Sequence, residues 1–167
     1  GPTSAEVVSE DPDGTIAEGS ALAELHEHVV VKVPFCKEGL EATHALTTDG
    51  IPVNMTLVFS PNQALLAASA GATYVSCFMG RLDDISIDSG GVVSEIVDCF
   101  RAGGVTSQII AASLRHPEHV ITAAQLGCEI ATTPAKVLRQ MLDHPLTTAG
   151  AEKFKAETGI DLEVAVH

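Results

Sequence analysis

Between Val29 and Pro34 the chain reads Val-Val-Val-Lys-Val-Pro. β-Branched residues dominate the run and a proline closes it, which is the composition of a strand. A strand apolar on both faces belongs to a parallel sheet covered on both sides. Comparable runs stand at 53–59, 73–78 and 106–112, with shorter ones at 5–9 and 128–133. Helix-forming stretches separate them. They cover 15–27, 37–48, a segment opened by Ser60-Pro61-Asn62 and ending near 70, then 92–100, and a segment from Arg115-His116-Pro117-Glu118 to about 126. The Ser-Pro-Asn triplet has the form of an N-cap with proline at the first helical position. Pro134 opens a helix to about 142, a last helix covers roughly 149–157, and 80–91 reads as a polar loop. Strand followed by helix, six times over, gives a parallel sheet with right-handed crossovers.

A doubly wound sheet and a (β/α) barrel both satisfy that alternation. Residues i and i+2 share a strand face, so the polar residues discriminate. Lys32 lies near the end of its strand. Asn54 pairs with Thr56, Ser76 with Phe78, and Ser113 with Arg115, while Thr132 and Thr133 end the last run. Only Glu6, early in its run, fits less well. Polar groups gathered at the C-terminal ends of strands mark the chemical face of a barrel. A doubly wound sheet would more often open on a glycine-rich first turn, and the chain contains no GxGxxG.

The 167 residues carry 9 basic and 22 acidic side chains, a formal charge of −13. That excess argues against nucleic acid and anionic membrane surfaces as partners. No apolar run approaches the length of a membrane span and no charged-then-apolar signal stands at the start, so a cytoplasmic protein is expected. Cys36, Cys77, Cys99 and Cys128 form no CxxC pair and read as buried free thiols. His26-Glu27-His28 is the one HxH among seven histidines and has no further ligands at a metal-site spacing. His116 and His119 flank Pro117 and also read as non-ligands, so no metal is expected.

Lys32 is the residue out of place. Lysine is rarely buried unless paired, and an ammonium in a low-dielectric slot tends toward the neutral amine, a nucleophile for carbonyls that forms Schiff bases. The alternative is a packed stem with its head reaching water. Turning over an imine needs acid/base groups and water nearby. Glu6 and Thr56 could serve a bound water, and Asn54 a substrate hydroxyl. Taken singly, Glu6 reads more readily as a solvated carboxylate, and Asn54 with Thr56 as a satisfied interior pair. Arg81 and Arg115, half of the four arginines, both follow strand ends. With Ser113 they suit a phosphate, which guanidinium forks bind bidentately. For Arg81, a salt bridge to Asp83 or Asp84 is the competing reading.

Longer runs carry a resemblance. VVVKVP, GIPVNMTLVFSPNQALLAASAGATYVS, GRLDDIS and IIAASLRHPEHV resemble the transaldolase family, in particular its short subfamily shared with fructose-6-phosphate aldolase, from about residue 1 to about 154. The resemblance implies a (β/α)8 TIM-type barrel with no cofactor, and class I Schiff-base transfer of a dihydroxyacetone unit between sugar phosphates in the pentose phosphate pathway. The partners implied are fructose 6-phosphate, erythrose 4-phosphate and sedoheptulose 7-phosphate, with a homo-oligomer as the assembly. It makes Lys32 the Schiff-base lysine and Glu6 and Thr56 the pair holding the catalytic water. Asn54, Ser76 and Phe78 fall in the substrate pocket, and Arg81, Ser113 and Arg115 at the phosphate. Glu6 and Phe78 look like transaldolase, since the aldolase has Gln and Tyr there.

The pattern also departs from the family. Six βα units stand where the family has eight, so the expectation is one N-terminally shortened, incomplete barrel over 1–167. The first strand's general acid/base aspartate and the second strand's substrate-binding asparagine have no counterpart in it. Cys77 replaces a frequent proline, and the tail 155–167 is β-like in places (DLEVAV). Six strands would leave two unpaired edges and an exposed apolar lining. A shortened chain, a second chain supplying two strands, or a rearranged dimer would each account for them. Two other functions follow: a catalytically deficient barrel fragment that binds sugar phosphate or serves assembly, and a fructose-6-phosphate aldolase.

Overall fold

The computed structural model describes residues 1–158. Six parallel strands form one sheet: β1 (Thr3–Glu6), β2 (Val29–Pro34), β3 (Val53–Val58), β4 (Tyr74–Phe78), β5 (Gln108–Ala112) and β6 (Ile130–Ala131). Their spatial order is their chain order, β1 to β6. A doubly wound sheet must reverse order somewhere. An unreversed order sends every right-handed crossover to the same face, and the sheet curls into an incomplete TIM barrel. The helices are α1 (Pro12–Ala23), α2 (Lys37–Thr48), α3 (Pro61–Ser69), α4 (Met79–Asp84), α5 (Ser89–Gly103), α6 (Pro117–Leu126), α7 (Ala135–Leu142) and α8 (Pro145–Thr158).

The strands stay in step. Glu6 pairs with Lys32, Lys32 with Asn54, Asn54 with Tyr74, and Ser76 with Ile110. Even-numbered residues therefore share the concave face and odd-numbered ones face the helices. Val31, Val53, Met55, Val75 and Ala111 on the odd face are fully buried. They divide between two clusters, one centred on β3–β5 and one on β1–β3 with Leu46 of α2. One irregularity breaks the rule. The register of β3 against β4 shifts between Met55 and Val58, where Leu57 takes a positive φ of 60°. After this bulge Val58, though even, is buried among the helices, while Thr56 keeps to the concave side.

The helix starts follow their sequence signals. The Ser60 hydroxyl accepts from the Gln63 N–H at 3.3 Å, and the Gln63 side chain accepts from the Phe59 N–H at 2.8 Å, a reciprocal cap behind Pro61. Elsewhere the structure corrects expectation. β1 spans Thr3–Glu6, not 5–9, so Glu6 ends its strand and joins the polar C-terminal rim like the others. The segment from 80 to 91 is not a loop: α4 fills its first half and α5 begins at Ser89, capped by Asp88. The strand near 128–133 shrinks to Ile130–Ala131, with Thr132 and Thr133 beyond it. The last helix starts at Pro145; it buries none of its residues, and Leu146 and Phe154 stand exposed. Cys36 is an exposed thiol rather than a buried one, and its sulfur accepts from the Gly39 N–H to cap α2. All four cysteines are free. The β-like run DLEVAV lies outside the described residues.

Gly39 sets how close α2 sits to the strand that carries Lys32. A Cβ there would run into the Pro34 carbonyl oxygen and lie 3.2 Å from the Val33 side chain. Gly39→Ala should cost about 2–3 kcal/mol, an overpacking penalty against backbone that cannot give. Urea unfolding checks it, and an unchanged midpoint would mean that α2 does not fix β2.

Candidate active site

The concave face opens into a cavity of about 640 Å³ walled by even-numbered strand residues, among them Lys32, Asn54, Thr56, Ser76 and Phe78. Ser113 closes one side and Thr132 with Thr133 another. Lys32 therefore faces the barrel interior and not the helical shell. Its Nζ lies 2.9 Å from Glu6 Oε2, with side-chain exposures of 27% and 45%. Of the two settings weighed for this lysine, a dry slot and a packed stem with its head in water, the structure is nearer the second, a half-open ion pair on adjacent strands. Glu6 meets the amine from the sheet's edge strand and does not line the cavity wall. The turn after it is tied down by Glu18, which accepts from the Val8 N–H and from the Ser9 N–H and hydroxyl. The Ser9 hydroxyl, then the two backbone groups, hold the Glu18 carboxyl below its ordinary range.

Below the amine runs a hydrogen-bonded chain. The Ser76 hydroxyl donates to Asn54 Oδ1 at 2.7 Å, and Asn54 Nδ2 donates to the Ser4 hydroxyl at 3.1 Å. It crosses β4, β3 and β1 and fixes which way the carboxamide faces. Thr56 differs: its side chain is fully buried, lines the cavity, and its hydroxyl has no partner. A buried hydroxyl without a partner is costly, so this one is suited to a water or substrate atom in the cavity.

Phe78 forms the rim. Its ring meets Phe59 edge-on at 5.7 Å, and the Arg81 guanidinium lies 5.1 Å from its centroid. Arg115 reaches α4 from the segment after β5, its guanidinium forked onto both carboxylate oxygens of Asp84. Between them Ser113 holds a left-handed φ of 58°, and its carbonyl accepts from the Gly80 N–H at 3.2 Å. A Cβ on Gly80 would strike that carbonyl and the Arg115 side chain, so only glycine permits the approach. Asp83 accepts from the Ser89 N–H and stands 2.7 Å from His119 Nε2. Burial pushes the Asp83 carboxyl up, but the hydrogen bonds from Ser89 and His119 outweigh it and hold it below the ordinary value. Neither acid therefore pairs with Arg81, the salt bridge weighed for it; Asp84 takes Arg115, and Asp83 takes the histidine.

Two kinds of similarity bear on this site. The family described as Transaldolase/Fructose-6-phosphate aldolase matches residues 1–165. The chain belongs to that family. It is 54% identical over 157 residues to a probable transaldolase of Thermoanaerobacter sp. (strain X514), covering 94% of this chain and 73% of that protein. A probable transaldolase of Moorella thermoacetica is 57% identical over 157 residues, and one of Methanococcus maripaludis 51%, with the same coverage. The chain is thus short relative to these transaldolases.

Of the family positions carried over by resemblance, Lys32, Thr56, Asn54, Ser76, Phe78 and Ser113 share one cavity wall. Glu6 joins through its ion pair, Arg81 through Phe78, and Arg115 through Asp84 of α4. Sequence reasoning missed Ser4, which anchors Asn54, and His119, read as a bystander but buried between Asp83 and Arg115. Ser4 shares the parity of Glu6 and could have been found by it; nothing local marks His119. Cys77 and Cys128 are driven up to about 12 and about 11 by burial, which keeps both thiols protonated. Among the described residues no group of three or more His, Cys, Asp or Glu side chains is placed to hold a metal ion.

Two outcomes follow. Thr56→Val replaces an unpartnered hydroxyl by a methyl of the same shape, so unfolding in urea should show no loss of stability and a gain of up to about 1 kcal/mol. A clear loss would mean that the hydroxyl is bonded after all. The folded-state pKa of Asp83 lies below its unfolded value, near 3.9, so its contribution is present above that value and lost as pH falls through the folded pKa. Asp83→Ala should be less stable than the parent at pH 7, with the deficit shrinking as pH falls from about 4 toward about 2. Equal deficits across that range would contradict it.

Proposed function

We propose that this chain carries transaldolase chemistry through a Schiff base on Lys32. One observation supports it above the rest: an amine and an unpartnered buried hydroxyl, Lys32 and Thr56, face one cavity, with a carboxylate on the amine and two arginines near the rim. In this reading Glu6 takes a proton from the ammonium. The amine attacks the keto carbon of fructose 6-phosphate, and the carbinolamine loses water, with the proton returned by Glu6, to give the imine. The C4 hydroxyl proton passes through water to Glu6, a carboxylate again, as the C3–C4 bond breaks, releasing glyceraldehyde 3-phosphate and leaving a three-carbon enamine on Lys32. The enamine adds to the aldehyde carbon of erythrose 4-phosphate, whose oxygen takes that proton back, and water held by Glu6 and Thr56 hydrolyses the product imine to sedoheptulose 7-phosphate. Asn54 and Ser76 hold sugar hydroxyls, and Phe78 packs the carbon chain. Arg81, Ser113 and Arg115 take the phosphate, so Arg115 must share or exchange Asp84. The reaction belongs to the pentose phosphate pathway, in the cytoplasm. The exposed Leu142, Leu146 and Phe154 favour a homo-oligomer.

A second reading, a barrel that binds sugar phosphate without turnover, is favoured by a specific feature. Bond cleavage needs a base for the C4 hydroxyl, and among the described residues the cavity wall holds no Asp or Glu. Borohydride reduction with fructose 6-phosphate separates the cases. A reduced three- or six-carbon adduct on Lys32, absent in Lys32→Met, is expected; a folded sample without adduct overturns the Schiff-base reading. Transfer to erythrose 4-phosphate supports transaldolase, an adduct without transfer supports the second reading, and dihydroxyacetone released without acceptor indicates the aldolase. Thr56→Val should still form the adduct but slow turnover about 100-fold, the low end of lost acid–base assistance.

A further inference from the structure

We propose that His119 is a positioning residue for the phosphate-binding arginines, an inference that rests on the phosphate site just proposed. His119 lies in the first turn of α6, and its side chain is only 8% exposed. Both ring nitrogens are engaged. Nδ1 accepts the Arg115 backbone N–H at 3.2 Å, and Nε2 is 2.7 Å from Asp83 Oδ2. Because Nδ1 faces an N–H, the ring proton is assigned to Nε2 and is donated to Asp83. One ring thus joins the chain leaving β5 to α4.

A plain helix cap would end at the first of these bonds. The remaining contacts of Arg115 also run to α4. Its guanidinium forks onto Asp84, and its stem lies where a Cβ on Gly80 would be, 2.7 Å from Nε. α4 has six residues and no side-chain cap of its own, too little to hold its place unaided. It carries Arg81 and starts directly after Phe78, the ring on which that guanidinium rests. The spacing of the two guanidinium groups is therefore set through α4, and the His119–Asp83 bond ties α4 to the Arg115 backbone. Two forks meeting one phosphate need their separation fixed beforehand, since ordering them on binding costs affinity.

Two variants separate positioning from mere stability. The carboxamide oxygen of His119→Asn falls near the place of Nδ1 and keeps the Arg115 bond. The longer His119→Gln reaches the place of Nε2, keeps Asp83 and loses Arg115. Each cuts the bridge at one end, and only His119→Gln frees the Arg115 amide; Gly39→Ala, which strains the α2–β2 contact away from α4, is the control for lost stability alone. The readouts are hydrogen exchange of the Arg115 amide by NMR and the affinity of the full chain for inorganic phosphate by calorimetry. His119→Gln should speed exchange of the Arg115 amide about tenfold and His119→Asn leave it within about twofold of the parent, whereas both should weaken phosphate about fivefold, the effect of one lost hydrogen bond, and Gly39→Ala should leave phosphate unchanged. Unchanged phosphate affinity in either histidine variant, an equal loss in Gly39→Ala, or unchanged exchange in His119→Gln overturns the inference. If Arg115→Ala leaves phosphate binding untouched, the phosphate site itself is wrong and the inference falls with it. Should His119→Gln not fold, Asp83→Asn on its half-exposed carboxylate takes its place: phosphate weakened about two- to threefold supports the link, and no change overturns it.

Discussion

The side-chain alternation of six parallel strands, held in step across the sheet, is the constraint on which everything else rests. Val31, Val33, Val53, Met55, Val75 and Ile109, odd-numbered residues of β2 to β5, are buried against helices, each contributing about 1.5–3 kcal/mol by leaving water. A slip of one residue in any strand would expose that set and drive Lys32, Asn54 or Ser76 into the apolar shell. The cost of burying such polar groups without partners is of the same order or larger. The polar wall of the cavity is thus a consequence of hydrophobic burial on the opposite face. Nothing in the cavity has to hold the register for it.

Of the three non-glycine residues with positive φ among the described residues, Ser86 lies between α4 and α5, and the other two lie near strand ends that border the cavity. Leu57 and Ser113 adopt positive φ values of 60° and 58°, a conformation costing non-glycine residues about 1–3 kcal/mol. At Leu57 the bulge sends Val58 back into the shell and leaves Thr56 as the last cavity residue of β3. At Ser113 the chain turns so that its carbonyl meets the Gly80 amide. Both departures shape the mouth, and the well-packed strands beneath can sustain them.

Charge is balanced locally and not globally. The chain carries −13 overall, a field that opposes approach of any anion. Around the mouth, however, stand Lys32, Arg81 and Arg115, two of them matched to carboxylates, Glu6 and Asp84. Each carboxylate neutralises its cation at close range in half-open surroundings, where such pairs contribute little to stability. A phosphate or a carbonyl can therefore compete for those cations at modest expense.

The sheet and the cavity wall were legible in the sequence for one reason: both are written in short-range periodicity. The run from Val29 to Pro34 announces a covered strand, and i, i+2 pairing places Asn54 with Thr56 and Ser76 with Phe78 on one face whatever the remainder of the chain does. Strand limits were less legible, because Glu6 ends β1 only once the pairing of Thr3 to Glu6 with β2 is known. α4 was hidden in a polar, glycine-containing stretch whose six residues have little helical tendency alone and are held by Ser113, Arg115 and His119 from across the sheet. The partners of the charged groups were beyond reach for the same reason. Asp84 with Arg115, Asp83 with His119, and Ser4 with Asn54 are separated by 31, 36 and 50 positions, and no local pattern encodes which of several nearby acids a given cation meets. The sequence by itself determined the alternation of strands and helices, the parity of the cavity wall and the family; the tertiary structure alone decided which charges meet, since that depends on how far the sheet curls and how closely α4 rides on the end of β5.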